Sequence, residues 1–208
     1  MTLRGLYAIT DSQLIPETHF AGTVQQALDG GAKVIQYRDK TQDRSKRLRQ
    51  AHILSQLCHQ YHVPLIINDD IELAKAVNAT GVHLGKEDAL LTQARQLLGQ
   101  SAIIGVSCYN QLNLALQAAQ AGADYIAFGS FFPSSTKPNA VQADIHLIQQ
   151  AKQQLTLPIV AIGGITHENG SQLVHAGADC LAVIHHVFGM PDVYLAAKQF
   201  AQLFSATS

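Results

Sequence analysis

The sequence lacks the features that mark exported, disulfide-bonded or membrane proteins. Its 208 residues include three cysteines, Cys58, Cys108 and Cys180, which are far apart and form no C-x-x-C pair. This number and spacing argue against a disulfide framework and against a cysteine-based zinc site. No apolar run reaches the roughly 18 residues of a membrane span, and the N-terminus lacks the apolar region of a signal peptide. We therefore expect a cytoplasmic protein with no membrane partner.

Charge is scarce as well. Only 14% of the residues are charged and the net charge is −1, so the chain has no broad basic surface for nucleic acid. A phosphate site would have to be built from a few well-placed cations. The length and the apolar fraction of 47% are enough to bury one large core. We expect small-molecule ligands and no nucleic acid, and the composition leaves a homo-oligomer open.

Short apolar runs alternate with helical patterns along the whole chain. We predict eight strands, at residues 5–10, 34–37, 65–67, 82–84, 103–107, 125–129, 159–162 and 180–184. Each run is continuously apolar, as expected for parallel strands that are covered on both faces. The intervening segments carry apolar residues at steps of three and four, which is typical of helices.

A degenerate repeat supports this division into βα units. Four near-copies of one helix-to-strand joint contain Gly31, Gly81, Gly122 and Gly177, and a glycine can take the left-handed conformation that ends a helix. No linker or composition shift marks a boundary. We therefore predict an α/β fold, a single (β/α)8 TIM barrel domain over residues 1–208. A doubly wound open sheet is the alternative, because it uses the same βα unit.

Acidic pairs follow two neighbouring predicted strands. Asp69 and Asp70 come after the third strand, and Glu87 and Asp88 come after the fourth. Neighbouring parallel strands would bring both pairs to one edge of the sheet, where carboxylates suit a divalent cation such as Mg²⁺. The alternative is that these residues form turns and helix N-caps, which Asp also favours.

Candidate phosphate-binding residues follow other strands. Gln36, Arg38 and Lys40 alternate along an extended segment, so that period two places them on one side. Arginine can donate two hydrogen bonds to a phosphate, and lysine adds a compact charge. Gly163-Gly164 follows the seventh strand, where barrels often bind phosphate. Solvated loops and a tight turn are the alternatives. No Ser-His-Asp nucleophile site is evident.

These motifs together resemble the thiamine phosphate synthase family over nearly the whole chain. Each motif is weak alone, but seven in the same order are highly specific. They are Tyr7-Ala8-Ile9-Thr10-Asp11, Gln36-x-Arg38-x-Lys40, Asn68-Asp69-Asp70, Gly81-Val82-His83-Leu84-Gly85-x-Glu87-Asp88, Gly105-Val106-Ser107, Phe132-Pro133-Ser134-x-Thr136-Lys137 and Ala161-Ile162-Gly163-Gly164-Ile165.

The resemblance implies a (β/α)8 barrel enzyme of thiamine biosynthesis. The enzyme would be a transferase that joins hydroxymethylpyrimidine diphosphate to hydroxyethylthiazole phosphate, releasing pyrophosphate in a Mg²⁺-dependent, dissociative reaction. The residues implied to hold the pyrimidine diphosphate are Gln36, Tyr37, Arg38, Asp39, Lys40, Asn68, Ser107 and Lys137. Among them the catalytic ones would be Arg38, Lys40, Ser107 and Lys137. The metal would be held by Asp69 and Asp88, and the thiazole phosphate by Ser134, Ser135, Thr136, Gly164, Ile184 and His185.

Two positions depart from the family pattern. His185 stands where serine is common, and Lys86 stands where glutamine is usual. Both bear on affinity and pH dependence rather than on the reaction class.

Three other functions are compatible with such a barrel. A thiazole tautomerase with the same fold would need neither the diphosphate clamp nor Mg²⁺. A non-catalytic protein that binds thiazole phosphate or thiamine phosphate would bind without turnover. An unrelated barrel isomerase could use the same phosphate loops, because the fold alone does not fix the function.

Overall fold

The protein is a closed barrel of eight parallel strands that pair in chain order. The computed structural model describes residues 3–85, 88–133 and 141–205. The strands are β1 (Gly5–Ile9), β2 (Val34–Tyr37), β3 (Leu65–Asn68), β4 (Gly81–Leu84), β5 (Ile103–Tyr109), β6 (Tyr125–Phe128), β7 (Ile159–Ile162) and β8 (Cys180–Val183). β8 pairs with β1 and closes the sheet. This closure confirms the predicted barrel and shows that the alternative, an open sheet, is wrong.

Helices follow the strands and cover the outside of the barrel. They are α1 (Phe20–Asp29), α2 (Arg44–Tyr61), α3 (Ile71–Ala76), α4 (Asp88–Leu98), α5 (Leu112–Gln120), α6 (His146–Gln154), α7 (His167–His175), α8 (His185–Phe188) and α9 (Val193–Ser205). A 3₁₀ turn at Glu17–His19 and the short helix α8 are not foreseen by the sequence pattern. Within the described ranges, no helix has the length and apolarity needed to cross a membrane.

The strands are apolar throughout because both of their faces are buried. Leu6 and Ala8 of β1 pack outward into the layer between the sheet and the helices. Tyr7 and Ile9 point the other way and pack inside the barrel with residues of other strands. The same alternation turns Gln36 of β2 inward and its neighbour Tyr37 outward into the helix-side layer. Successive residues of a strand thus alternate between the two faces, and only those on the inner face can contact a ligand in the barrel.

The repeated helix-to-strand joints are only partly what the glycine pattern predicts. Gly122 and Gly177 have φ of 92° and 110°, which is the left-handed region expected at a helix end. At the joint after α3 the left-handed residue is Asn78 (φ 50°), so the prediction for Gly81 is wrong. A Cβ at Gly81 would lie 1.8 Å from the carbonyl oxygen of Ile103. Close packing of two strands, rather than a left-handed turn, requires glycine there.

Candidate functional site

A cavity of about 560 Å³ opens at the carboxyl ends of the strands. Every strand of the barrel contributes at least one residue to its wall. The predicted residues that line it are Gln36, Arg38, Asn68, Ser107, Gly164, Ile184 and His185. The barrel therefore brings residues of both predicted substrate sets, which are far apart in sequence, to one enclosed space.

A chain of hydrogen bonds forms the floor of the cavity. Gln36 Nε2 donates to the Tyr7 hydroxyl at 2.8 Å, and the Tyr7 and Tyr125 hydroxyls lie 2.8 Å apart. Tyr125 also contacts His83 Nδ1 at 2.9 Å, and His83 Nε2 contacts Ser107 Oγ at 2.9 Å. His83 thus uses both ring nitrogens to join Tyr125 to Ser107. The floor is thus a polar network within an otherwise apolar barrel.

Both floor tyrosines remain protonated over the ordinary pH range. Burial in the barrel raises the pKa of Tyr7 beyond its usual range, although its hydrogen bonds with Tyr125 and Gln36 act in the opposite direction. Burial likewise raises the pKa of Tyr125, and the nearby Tyr7 adds to the shift. The two tyrosines therefore offer neutral hydroxyl groups rather than charges.

The Tyr125 ring reaches this position because β5 carries a glycine beside it. A Cβ on Gly105 would lie 1.9 Å from Tyr125 Cζ, well inside van der Waals contact. The Tyr125 ring also stacks on His83, with ring centroids 5.6 Å apart. The missing side chain at Gly105 thus makes room for the central member of the hydrogen-bonded floor.

The segment after β2 separates two of the three cations predicted to contact the diphosphate. Arg38 lines the cavity, its backbone N–H bonds Thr10 Oγ1 at 2.9 Å, and its guanidinium lies 3.7 Å from Asp11. Lys40 is exposed and lines a neighbouring shallow depression, together with Asp69. Asn68 borders both spaces. A ligand with a ring in the cavity and an anionic tail over Asn68 would contact both cations.

Two residues of the predicted diphosphate set face away from the cavity. The Tyr37 side chain is buried on the helix side and donates a hydrogen bond to Gln50 at 3.0 Å. Asp39 accepts a hydrogen bond from the Thr41 N–H at 2.7 Å and lies 2.9 Å from Lys46 Nζ. Burial alone would raise the pKa of Asp39, but the hydrogen bonds from Thr41 and Lys46 outweigh it and lower that pKa. The Tyr37 side chain packs against the helices, whereas Asp39 borders the shallow depression that Lys40 and Asp69 also line.

The acidic residues after β3 have different roles. Asp70 is the N-cap of α3, where its Oδ1 accepts from the Leu73 N–H at 2.8 Å. Asp69 is exposed and has a left-handed backbone with φ of 62°. Its Oδ2 accepts from Asn68 Nδ2 at 2.7 Å. The helix-cap interpretation is therefore correct for Asp70, whereas Asp69 is exposed in the shallow depression that Lys40 also lines.

The opposite wall of the cavity comes from the segments after β7 and β8. Gly164 has φ of 59°, and a Cβ there would lie 2.2 Å from the carbonyl oxygen of Pro133. The close approach places the end of the segment after β6 against the β7 segment. His185 begins α8 and its ring lies 5.6 Å from that of His186. Burial lowers the pKa of His186, and the neighbouring His185 lowers it further.

Several predicted residues lie outside the described residues. They are Ser134, Ser135, Thr136 and Lys137 of the segment after β6, and Lys86 and Glu87 after β4. The backbone of Asp88 begins α4, but its side chain is also outside what is described. Among the described residues, no group of three or more His, Cys, Asp or Glu side chains is arranged to hold a metal ion by itself.

Sequence reasoning missed three floor residues: Tyr7, His83 and Tyr125. The sequence could have pointed to His83, because a polar residue inside a short apolar strand needs hydrogen-bond partners when it is buried. Nothing in the sequence pointed to the two tyrosines, since an aromatic residue in a strand normally indicates core packing.

Three comparisons place this chain beside enzymes of thiamine phosphate synthesis. A family model described as thiamine monophosphate synthase matches residues 6–187. The thiamine-phosphate synthase of Nitrosococcus oceani is 52% identical over 203 residues, which cover 98% of this chain and 94% of that protein. That of Alcanivorax borkumensis is 51% identical over 205 residues, covering 97% and 94%. Among solved structures, thiamine phosphate pyrophosphorylase from Pyrococcus furiosus superposes with a TM-score of 0.89 at 34% identity, covering 99% of this chain and 97% of that one.

Proposed function

Because the chain belongs to the thiamine monophosphate synthase family and is therefore a transferase that forms thiamine phosphate, we propose that its cavity binds a pyrimidine diphosphate and a thiazole phosphate together. One observation carries this proposal. Gln36, Asn68 and Ser107 of the expected pyrimidine set share a single cavity with Gly164 and His185 of the expected thiazole set. The products would be thiamine phosphate and pyrophosphate.

The polar floor is suited to the pyrimidine ring. Gln36, Ser107 and the His83–Tyr125 pair place hydrogen-bonding groups at the bottom of the barrel. Ring nitrogens are acceptors, and a buried polar site discriminates strongly against rings that leave its groups unpaired. The apolar walls around the floor would exclude water from the ring.

The diphosphate would extend from the floor past Asn68 toward Lys40. Arg38 at the cavity wall and Lys40 in the shallow depression are spaced along this path. Both cations would attract the negative charge that grows on the pyrophosphate as its bond to carbon breaks, and this preferential stabilisation of the transition state lowers the barrier. Lys137, which lies outside the described residues, is the third cation that the family pattern assigns to this group.

The residues beside this path fit a magnesium ion. The Asp69 carboxylate is exposed in the same depression as Lys40, and it supplies the hard oxygen ligand that Mg²⁺ prefers. Proteins often hold this ion by one or two carboxylates and leave the remaining positions to substrate phosphates and water. Asp69 would hold it here with Asp88, whose backbone starts the next helix. When bound, Mg²⁺ would neutralise charge on the leaving pyrophosphate.

The thiazole phosphate would bind at the segments after β7 and β8. Gly164 lines the cavity with a left-handed backbone (φ 59°), and backbone N–H groups in such turns are good anion ligands. His185 and His186 line the same wall. The Ser134–Thr136 hydroxyls of the family pattern follow Pro133 directly in the chain, and Pro133 packs against Gly164.

The reaction needs no protein base. The bond from the pyrimidine methylene carbon to the pyrophosphate oxygen breaks, and its electron pair leaves with the pyrophosphate. The thiazole nitrogen then forms the new carbon–nitrogen bond with its own lone pair, so that no proton is transferred. None of the described cavity-lining residues is a carboxylate, which agrees with a reaction driven by positioning and electrostatics.

The test is product formation from the two substrates, with Mg²⁺ and with a chelator. We expect thiamine phosphate and pyrophosphate in equal amounts, and no turnover with the chelator. Arg38→Gln should lower kcat by about 10²- to 10³-fold, as loss of one transition-state donor does elsewhere. Arg49→Gln is the matched control, because among the described residues Arg49 is paired with Glu17 at the exposed surface.

Other outcomes would support the other functions. Isomerisation of a thiazole carboxylate phosphate would indicate a tautomerase. Saturable binding of thiazole phosphate without product would indicate a binding protein. We further predict that Lys137→Ala lowers turnover far more than it weakens thiazole phosphate binding. The cytoplasmic location and a homo-oligomer stay predictions.

A further inference from the structure

An ion pair joins the segments that follow two neighbouring strands at the active face. Arg47, in the first turn of α2, places its Nη2 2.5 Å from Asp70 Oδ2. α2 follows the segment that carries Arg38 and Lys40, whereas Asp70 follows Asp69 at the end of β3. The pair therefore connects the segment of the cations to the segment of the proposed metal ligand.

Both ends of the pair are held firmly. Arg47 N–H donates to the Asp43 carbonyl oxygen at 3.0 Å within the start of α2. The other carboxylate oxygen of Asp70 caps α3 by accepting from the Leu73 N–H. The two side chains are 22% and 31% exposed, which is far more buried than the surface pair of Arg49 and Glu17 at 60% and 56%. A partly buried pair on fixed elements restricts movement more than a surface pair does.

The residue next to this pair has a backbone that needs support. Asp69 has φ of 62°, a region that non-glycine residues rarely adopt. Its N–H donates to the His83 carbonyl oxygen at 2.9 Å on one side, and the Asp70 N–H bonds the Asn68 carbonyl oxygen at 2.8 Å on the other. Arg47 itself lines the shallow depression with Lys40 and Asp69. The position of the Asp69 carboxylate therefore depends on where Asp70 is held.

We propose that Arg47 is a positioning residue whose ion pair with Asp70 fixes the Asp69 carboxylate relative to Arg38 and Lys40, so that the metal and the diphosphate bind as one unit. This inference rests on the proposed function, because it takes Asp69 as a metal ligand and the depression as the diphosphate site.

Two single variants separate positioning from simple charge effects. Arg47→Gln removes a positive charge beside the site, and Asp70→Asn removes a negative one. Electrostatics alone would therefore shift binding in opposite directions in the two variants, and asparagine preserves the cap of α3. If positioning dominates, both variants weaken metal binding. Their double variant should then be no worse than either single one, because all three lack the same interaction.

The readout is the dissociation constant of Mn²⁺, used as the probe for the site, measured by electron paramagnetic resonance with inorganic pyrophosphate present. We expect a loss of about five- to tenfold for both Arg47→Gln and Asp70→Asn. Arg47→Lys should recover part of the loss, since it restores one charged donor. Arg49→Gln should bind as the wild type does, and melting curves check that each variant is folded.

The outcomes distinguish failure of this inference from failure of the metal site. If the wild type shows no saturable Mn²⁺ binding, or if Asp69→Asn binds as well as the wild type, the proposed metal site is wrong and the inference falls with it. If Asp69→Asn abolishes binding but Arg47→Gln and Asp70→Asn shift it in opposite directions, or not at all, only the positioning role is overturned.

Discussion

Replacing Gly105 with alanine would put a methyl group where the Tyr125 ring stands. The new Cβ would lie 1.9 Å from Cζ, 2.3 Å from Cε1 and 2.4 Å from Cε2 of that ring. Tyr125 is fully buried and hydrogen-bonded to both Tyr7 and His83. Either the ring moves and leaves these partners unsatisfied, or β5 moves away from β6.

Both responses are costly. Overpacking a core costs about 1–3 kcal/mol, and leaving a buried hydrogen-bonding group unpaired costs about 1–3 kcal/mol. We expect the free energy of unfolding to fall by about 3 kcal/mol, which for a chain of this size lowers Tm by roughly 6–12 °C. The substitution should also lower turnover, because the floor beneath the proposed pyrimidine site would be displaced. Thermal melts by circular dichroism and urea unfolding measure the first effect.

Gly22→Ala is the matched control. Gly22 is exposed within α1, and a Cβ there would meet no atom within 4 Å. Alanine should stabilise that helix by about 0.5–1 kcal/mol. Combining Gly105→Ala with Tyr125→Leu should cost less than the sum of the two single changes, because a smaller side chain removes the clash. A Gly105→Ala protein with an unchanged Tm would show that the barrel interior is not packed as described.

Two further predictions concern a strand joint and the histidine pair. Asp124 Oδ2 accepts hydrogen bonds from both the Ile104 N–H and Arg95 Nη2 at 2.7 Å. Asp124→Ala should therefore lower the free energy of unfolding, measured in urea, by about 1–3 kcal/mol. An unchanged free energy of unfolding would mean that water replaces the carboxylate. Burial and His185 lower the pKa of His186, so the folded state binds fewer protons there than the unfolded state, and stability falls as the pH drops below about 6.5. His185→Ser should raise the pKa of His186, measured by NMR titration. An unchanged pKa would show that His185 does not lower the pKa of His186.

The sequence was sufficient for the elements and for the face on which the site lies. Short continuous apolar runs that alternate with helical patterns are typical of strands covered on both sides, and polar residues after such runs gather at one edge of a parallel sheet. The two-residue alternation of side chains in an extended segment also correctly predicted that Gln36 and Arg38 lie on the same side. It failed for Lys40, because β2 ends at Tyr37 and the segment then turns into the neighbouring depression.

The sequence could not show which of two adjacent aspartates caps α3 and which is exposed. Asp69 and Asp70 have the same chemistry, and only the start of α3 and the position of Arg47 make one a cap and leave the other exposed. The two-residue period that puts Gln36 and Arg38 on one side puts Tyr37 on the other, and in the structure Tyr37 does face the helices.

By itself the sequence determined the eight βα units, the family and the set of residues available for the chemistry, because these depend on local periodicity and on motif order. The tertiary structure alone decided that the sheet closes and that Tyr7, His83 and Tyr125 meet at the floor of the cavity. These residues come from β1, β4 and β6, which are not neighbours in the sheet. Their contact exists only because closure of the barrel points inward-facing side chains from all strands at one axis.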